Sequence, residues 1–332
     1  MKKLFCLILS VMMILSLAAC ASSEPAAAPK AENTGDAAYT VAIVQQLDHS
    51  SLDEIRNAIE SQLKALATEK NIAINITYDN GQNDASMLNQ IGTQIVSDGA
   101  DMIIPIATTA AQCMVTAADG TDIPIVYAAI SDPEGAGLTD IPTVTGVSDA
   151  LNTNFIMDMM FAADPAIQTV GLLYSNSEIN SEAPIADAKA YLDAKGIAYV
   201  EKTGNTANEI IAAASDLVGR VDAVFTPTDN AVMAAEAAVA EILNEAGIPH
   251  YTGADSFVLS GAFTTCGVNY TELGTKTADI AFDILSGGTI GDFVVMDGGI
   301  ITVNTETAET CGIDYAVFKD MANTVNEVVT AE

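Results

Sequence analysis

The sequence predicts an α/β protein of two doubly wound units built on parallel sheets. Three observations point there. Short apolar runs alternate with amphipathic helical patterns along most of the chain; the order strand, helix, strand, helix requires a parallel sheet; and that order restarts near the middle. With 332 residues, half of them hydrophobic, and 23 glycines, the chain is long enough for two packed domains and is globular in composition.

The elements follow in order. The run "TVAIVQQ" (Thr40 to Gln46) is a strand, and Leu52, Ile55, Ile59, Leu63 and Leu66 then recur at the three-and-four spacing of a helix that buries one stripe. "IAINITY" precedes a helix through Leu88, Ile91 and Ile95; "DMIIPIA" precedes a helix from Thr108; "IPIVYAAI" ends at Ser131-Asp132-Pro133. After "TVTGVSD" (Thr143 to Asp149) the pattern restarts with a helix through Phe155, Ile156 and Met159, the strand "TVGLLYS", a helix through Ile185 and Leu192, and the strand "IAYV". A helix through Ile210, Ala214 and Leu217 leads to "VDAVFT", a long helix from Asp229 to Ala246, and "IPHYTG".

One correspondence between the halves bears on chemistry. "PIATTAAQ" (Pro105 to Gln112) and "FTPTDNAV" (Phe225 to Val232) are each a strand end, two short polar residues and an alanine-rich helix start, with Thr108 opposite Thr228 and Thr109 opposite Asp229. Ligands of parallel sheets bind beyond the carboxyl ends of the strands, so these loops border one cleft if the lobes face each other. The helix start at Thr108 and Thr109 offers backbone N–H groups and partial positive charge to a carboxylate. Asp229 offers a negative charge to an ammonium. A cleft with one wall of each kind suits a zwitterion; equally, Thr108, Thr228 and Asp229 are residues that commonly cap their own helices.

The N-terminal 19 residues are expected to be an export signal: Met1, Lys2 and Lys3 precede an uncharged stretch from Leu4 to Leu17, shorter than a membrane span. It ends in Leu17-Ala18-Ala19-Cys20, which resembles the bacterial lipoprotein signal, so Cys20 is the expected lipidation site. Residues 20–38 form a linker without apolar periodicity that tethers the protein to the outer face of the cell membrane. The formal charge is −32, and loss of Lys2 and Lys3 makes it more negative still, which disfavours nucleic acid and phosphate-rich partners. Cys113, Cys266 and Cys311 are widely spaced and odd in number, so neither a disulfide framework nor a zinc site is indicated, and they read as small core residues. No cofactor and no metal are expected.

The segments "HSSLDEIRNAI", "IATTAAQ", "SDPEGAGL", "TGVSD", "YSNSEINS", "PTDNAV", "GADSF" and "GVNYTELG" occur in that order and at compatible spacing. Together, and over nearly all of the chain from Tyr39, they resemble the substrate-binding lipoproteins of ABC importers in the family that includes the tryptophan- and tyrosine-binding proteins. The resemblance implies the type I periplasmic-binding fold, two Rossmann-like lobes joined by three crossover strands. It implies crossings near Val144 to Asp149, near Thr265 to Asn269 and near Gly287 to Gly291, with residues 39–147 and 265–289 in the first lobe and 148–264 and 290–330 in the second. Gly146, Gly267, Gly287 and Gly288 are then either hinge points or ordinary turn residues. It also implies an ABC permease and ATPase as partners and no enzymatic activity.

Strand ends and motif positions together nominate the ligand contacts. In the first lobe these are Gln46, Asp48, His49, Thr108, Thr109, Ser131 and Asp132. In the second they are Asn176, Ser177, Glu178, Asn180, Thr228, Asp229, Asn230 and Asp255, with Asn269 and Tyr270 at the return crossing. The loops favour a zwitterion, and the resemblance implies an aromatic or branched hydrophobic amino acid. With no tryptophan to stack on a pyranose, a sugar fits less well. A sensor lipoprotein, a binder of a nucleoside, vitamin or sugar, and an exported hydrolase are the alternatives; against the last, the chain has no G-x-S-x-G elbow, and His49 and His250 do not form H-E-x-x-H.

Overall fold

A computed structural model describes residues 39–331; the expected signal, linker and acylation of Cys20 fall outside the described residues. The alternation of strands and helices forms as expected. In the first lobe it runs β1 (Tyr39–Gln45), α1 (Ser50–Lys70), β2 (Ile74–Asn80), α2 (Ala85–Asp98), β3 (Met102–Ile106), α3 (Thr108–Ala117), β4 (Ile125–Ala128) and β5 (Val144–Ser148). A short β11 (Val294–Val295) completes an all-parallel sheet in the order β11-β5-β4-β3-β1-β2. The predicted stripe of α1 buries Leu52, Ile55, Ile59 and Leu63, while Leu66 is only partly covered. Each such side chain contributes about 2 kcal/mol on burial, an upper value because the unfolded chain already hides some apolar surface.

The second lobe repeats the plan with α4 (Thr153–Ala163), β6 (Thr169–Tyr174), α5 (Glu182–Lys195), β7 (Ala198–Thr203), α6 (Ala207–Leu217), β8 (Ala223–Thr226), α7 (Asn230–Met233), α8 (Glu236–Glu245), β9 (His250–Thr252), α9 (Asp255–Leu259) and β10 (Thr264–Gly267). Its sheet has the order β13-β12-β10-β9-β8-β6-β7, where β12 (Ile300–Asn304) is antiparallel to β10 and parallel to β13 (Thr324–Val328). The long helix expected from Asp229 to Ala246 is two helices. Ala235, at φ −109° and ψ 0°, leaves helical geometry just before Glu236, whose carboxylate is buried against His250 Nδ1 at 3.0 Å. A run of alanines has no apolar stripe from which such a break can be read.

The chain passes between the lobes three times. After β5 it enters the second lobe at residues 149–152, and after β10 it returns to α10 (Tyr270–Leu285), which packs along α1. Gly274 permits that approach, since a Cβ there would stand 2.5 Å from the carbonyl oxygen of Ile55. The third crossing lies at residues 296–299 and not at Gly287 to Gly291, because Val294 and Val295 still pair with Val147 and Ser148 of the first sheet. β10 likewise pairs with β9 and β12, so residues 265–267 belong with the second sheet. Gly287 and Gly288 make the turn that ends α10. Gly146 is a packing residue inside β5, where a Cβ would overlap the Tyr127 ring at 2.3 Å.

Candidate functional site

Both lobes share one strand order. Counted from its own first strand, each sheet reads 2-1-3-4-5, with the order reversing between the first and third strands, and ligands of such sheets sit beyond the carboxyl ends at that reversal. In the first lobe the reversal lies between β1 and β3, in the second between β6 and β8. The loops leaving these four strands close on a cavity of about 30 Å3, room for about two waters. An amino acid enters only if the lobes part. A groove of about 550 Å3 lies on the hinge side, bounded by all three crossings, and Asp149 and Tyr270 border both hollows.

The first lobe presents bare helix ends to the cavity. His49 precedes α1 and Ala107 precedes α3, and neither gives a side-chain cap to its helix. Ala107 (φ 75°) and Ala129 (φ 56°), the residues that follow β3 and β4, both have left-handed backbone and both line the cavity. Alanine in that region carries strain, and such strain gathers where a loop is shaped for a ligand. Thr108 lines the cavity at the first turn of α3, while the N–H of Thr109 turns inward to Gln46 Oε1 at 3.0 Å.

The second lobe presents the opposite sign. Asp229, fully buried, accepts from Val232 N at 2.9 Å through Oδ1, and from Ser175 N and Ser181 Oγ at 2.7 Å each through Oδ2. It therefore caps α7 and ties the loop after β6 to the loop after β8. Gly253 lets β9 come close to this corner, as a Cβ there would lie 2.6 Å from Thr228 N.

A hydrogen-bonded chain joins the lobes. Gln46 Nε2 donates across the gap to Glu178 Oε1 at 2.9 Å; Asn230 Nδ2 donates to Glu178 Oε2 at 2.8 Å; and Asn230 Oδ1 stands 3.2 Å from His49 Nε2. Since Asn230 Nδ2 is already donating, its Oδ1 accepts from His49 Nε2–H, which leaves Nδ1 of the imidazole as an acceptor. Burial lowers the pKa of His49 and keeps it neutral. Burial, and secondarily the charge of Asp229, raises the pKa of Glu178 to about 8. Ser131 Oγ meets Thr228 Oγ1 at 2.9 Å, and Ser51 Oγ meets Asp255 Oδ1 at 3.3 Å.

Three buried polar atoms of cavity residues have no partner: His49 Nδ1, Asn180 Oδ1 and Ser256 Oγ. Buried polar groups in folded proteins are nearly always satisfied. Three of the eight such atoms among the described residues thus belong to one hollow, where a ligand's donors and acceptors could meet them.

Of the residues nominated from the sequence, His49, Thr108, Ser131, Asn180, Thr228, Asp229, Asn230 and Tyr270 line the cavity. Gln46, Thr109, Glu178 and Asp255 adjoin it through the contacts above. Five lie elsewhere. Asp48 is exposed and holds Tyr78 and Asn80 of β2; Asp132 closes a turn by accepting from Gly135 N at 2.9 Å; Asn269 caps α10 through Glu272 N; Asn176 bonds Thr203; and Ser177 bonds Ser175. Each sits one or two residues from a residue that lines the cavity or belongs to the interlobe hydrogen-bonded chain, which is the resolution of an argument from strand ends. Asp149, Ser256, Met233 and the alanines at 107, 129 and 254 were missed. For Asp149 the signal was present, a lone acid closing the strand "TGVSD"; the alanines carry none. Of the three cysteines, Cys113 and Cys266 are buried as expected, while Cys311 is half-buried.

A family model described as ABC transporter substrate binding protein matches residues 40–321. The chain belongs to this family. It is 31% identical over 316 residues to the tyrosine-binding protein of Clostridioides difficile (strain R20291), covering 92% of this chain and 91% of that protein. Among solved structures it resembles the ABC domain in complex with L-Trp from Streptococcus pneumonia, with 28% identity, a TM-score of 0.80 and coverage of 86% of this chain and 99% of that one. It also resembles the ligand-free, open structure of a substrate binding protein with adhesive properties from Clostridium difficile, at 30% identity and a TM-score of 0.66, over 88% of this chain and 100% of that one. Identity and coverage hardly differ between the two.

Proposed function

We propose that this substrate-binding protein captures a zwitterionic amino acid with an aromatic side chain between its lobes, and delivers it as the lipid-anchored, extracytoplasmic receptor of an ABC importer. The carrying observation is the interlobe cavity at the two strand-order reversals. Bare starts of α1 and α3 on one side suit a carboxylate, while buried acids and partnerless acceptors suit an ammonium. Leu52, Met233 and Phe257 supply the apolar wall for a side chain. The tyrosine-binding relative and the L-Trp complex support the aromatic class. Hinged closure around the ligand, without covalent change, is the mechanism: the Gln46–Glu178–Asn230–His49 chain forms only when the lobes meet.

The test is a thermal-shift screen of the chain from residue 39 onward against the twenty amino acids, with nucleosides, vitamins and sugars alongside. A ligand present at 100 times its dissociation constant stabilises the protein by about 2.7 kcal/mol. Shifts with tyrosine, tryptophan or phenylalanine are expected; a shift with a sugar or nucleoside alone would refute the reading.

A further inference from the structure

Three carboxylates are buried at the lobe interface, Glu178, Asp229 and Asp149, and no lysine or arginine forms an ion pair with any of them among the described residues. A buried carboxylate without a cation either takes up a proton, as the raised pKa of Glu178 allows, or calls for a positive group from outside the chain. The three differ in what remains for such a group to bind. Asp229 lines the cavity, but its oxygens already take Val232 N, Ser175 N and Ser181 Oγ, all from its own lobe. Glu178 does not line the cavity, and each of its oxygens accepts from an amide, Gln46 Nε2 on one and Asn230 Nδ2 on the other.

Asp149 combines what the other two have only separately, a place on the cavity wall and unfilled acceptor sites. It lines the cavity at the first crossing between the lobes, and its side-chain donor is a hydroxyl, Ser131 Oγ at 3.0 Å on Oδ1, with the buried Tyr270 beside it on the cavity wall. A carboxylate offers about four lone-pair sites, so acceptor capacity remains. Burial raises its pKa, which is the direction expected of an acid whose counter-charge arrives with a ligand. Around it stand further acceptors. Ser131 Oγ also meets Thr228 Oγ1; Asn180 anchors its Nδ2 on Thr228 O at 2.7 Å; and the Oδ1 of that buried amide lines the cavity without a partner.

We propose that Asp149, and not Asp229, binds the ammonium of the ligand, with Asn180 Oδ1 as a second acceptor. The inference rests on the amino-acid reading above and deepens it by assigning one end of the zwitterion. It also ties recognition to motion. Asp149 and Tyr270 lie at two of the three crossings and both line the cavity, so an ammonium on Asp149 is held at the hinge itself.

The test titrates two ligand pairs into the wild type and the variants Asp149→Asn and Asp229→Asn by calorimetry. The pairs are L-tyrosine with 3-(4-hydroxyphenyl)propionate and L-tryptophan with 3-(indol-3-yl)propionate, and within each pair only the ammonium differs. The ratio of the two affinities cancels any general damage to closure. The wild type is expected to prefer the amino acid by about tenfold or more, Asp149→Asn to reduce that preference to about threefold or less, and Asp229→Asn to retain it. Retention of the preference in Asp149→Asn overturns the assignment while leaving amino-acid binding intact. A wild type that binds neither amino acid overturns the underlying reading and the assignment with it. Should Asp149→Asn fail to fold, a crystal structure of the wild-type complex decides. An ammonium within about 3.2 Å of an Asp149 oxygen supports the assignment, and one on Asp229 or Glu178 overturns it.

Discussion

The two lobes share a strand order and differ at the same place in it, the helix that follows the third strand. In the first lobe α3 starts on Ala107, which gives it no side-chain cap; Gln46 takes the N–H of Thr109, and Thr108 lines the cavity. In the second lobe α7 starts on Asp229, which fills its own helix end with a carboxylate. The contrast extends to helices remote from the cavity, where Asp84, Thr206 and Asn304 all cap with their side chains. One scaffold thus carries an anion-accepting wall and an anionic wall, and the difference is made by which residue stands at the cap.

The largest expected effect comes from making the first lobe resemble the second. Thr108→Asp places a carboxylate where the ligand's carboxylate is proposed to sit. A negative residue in the first turn favours the helix, so the unliganded melting temperature should hold or rise. Ligand affinity should fall by about 100-fold or more, read by calorimetry against Thr108→Ser, which keeps the hydroxyl and should stay within about threefold. Equal affinities for the two variants would remove the carboxylate from this helix end.

The converse change, at Asp229, should show mainly in stability. From the sequence alone Asn would replace Asp there at no cost, since both are good N-caps. In the structure Oδ2 takes two donors, and an amide nitrogen in that position would confront Ser175 N–H and Ser181 Oγ. Asp229→Asn is therefore expected to lose about 1 to 3 kcal/mol in urea unfolding. Unchanged stability would mean that the cap, and not the tie between loops, is its main work.

A third test uses pH. Glu178 has its pKa raised to about 8 when the lobes are closed, through burial and then the neighbouring Asp229, and the groups facing it, Gln46, Asn230 and Asn180, are neutral. Opened to water it returns toward the ordinary carboxylate value, so closure takes up a proton between those two pKa values. The sign follows: closure and ligand affinity should weaken as pH rises toward 8 and level off above it. A loss of about 50-fold from pH 6 to pH 8 is expected in calorimetry, and it should flatten in Glu178→Gln, which stays neutral throughout. A flat wild-type profile would place Glu178 in water even in the closed state. The smallest effect is expected for Gln46→Ala. It removes the bridge from Thr109 to Glu178 without touching the cavity lining, and should weaken ligand binding about fivefold through a faster off-rate.

By itself the sequence determined the architecture and the side of the sheets that matters. Period-3.6 stripes such as Leu52-Ile55-Ile59-Leu63 and continuous apolar strands leave little choice but parallel sheets with covered faces, and the loops at strand carboxyl ends follow from that. It also marked Thr108, Thr228 and Asp229 as opposite numbers. Only the tertiary structure decided what each does, because the direction and partners of a side chain depend on chain segments far away in sequence. Asp229 is held by Ser175 and Ser181 from another loop, whereas Asp149, a plain strand-end acid in the sequence, lines the cavity at a crossing beside Tyr270, which follows it only after most of the second lobe. The third crossing shifted for the same reason: the pairing of Val294 and Val295 with β5 is a long-range contact that no local pattern records.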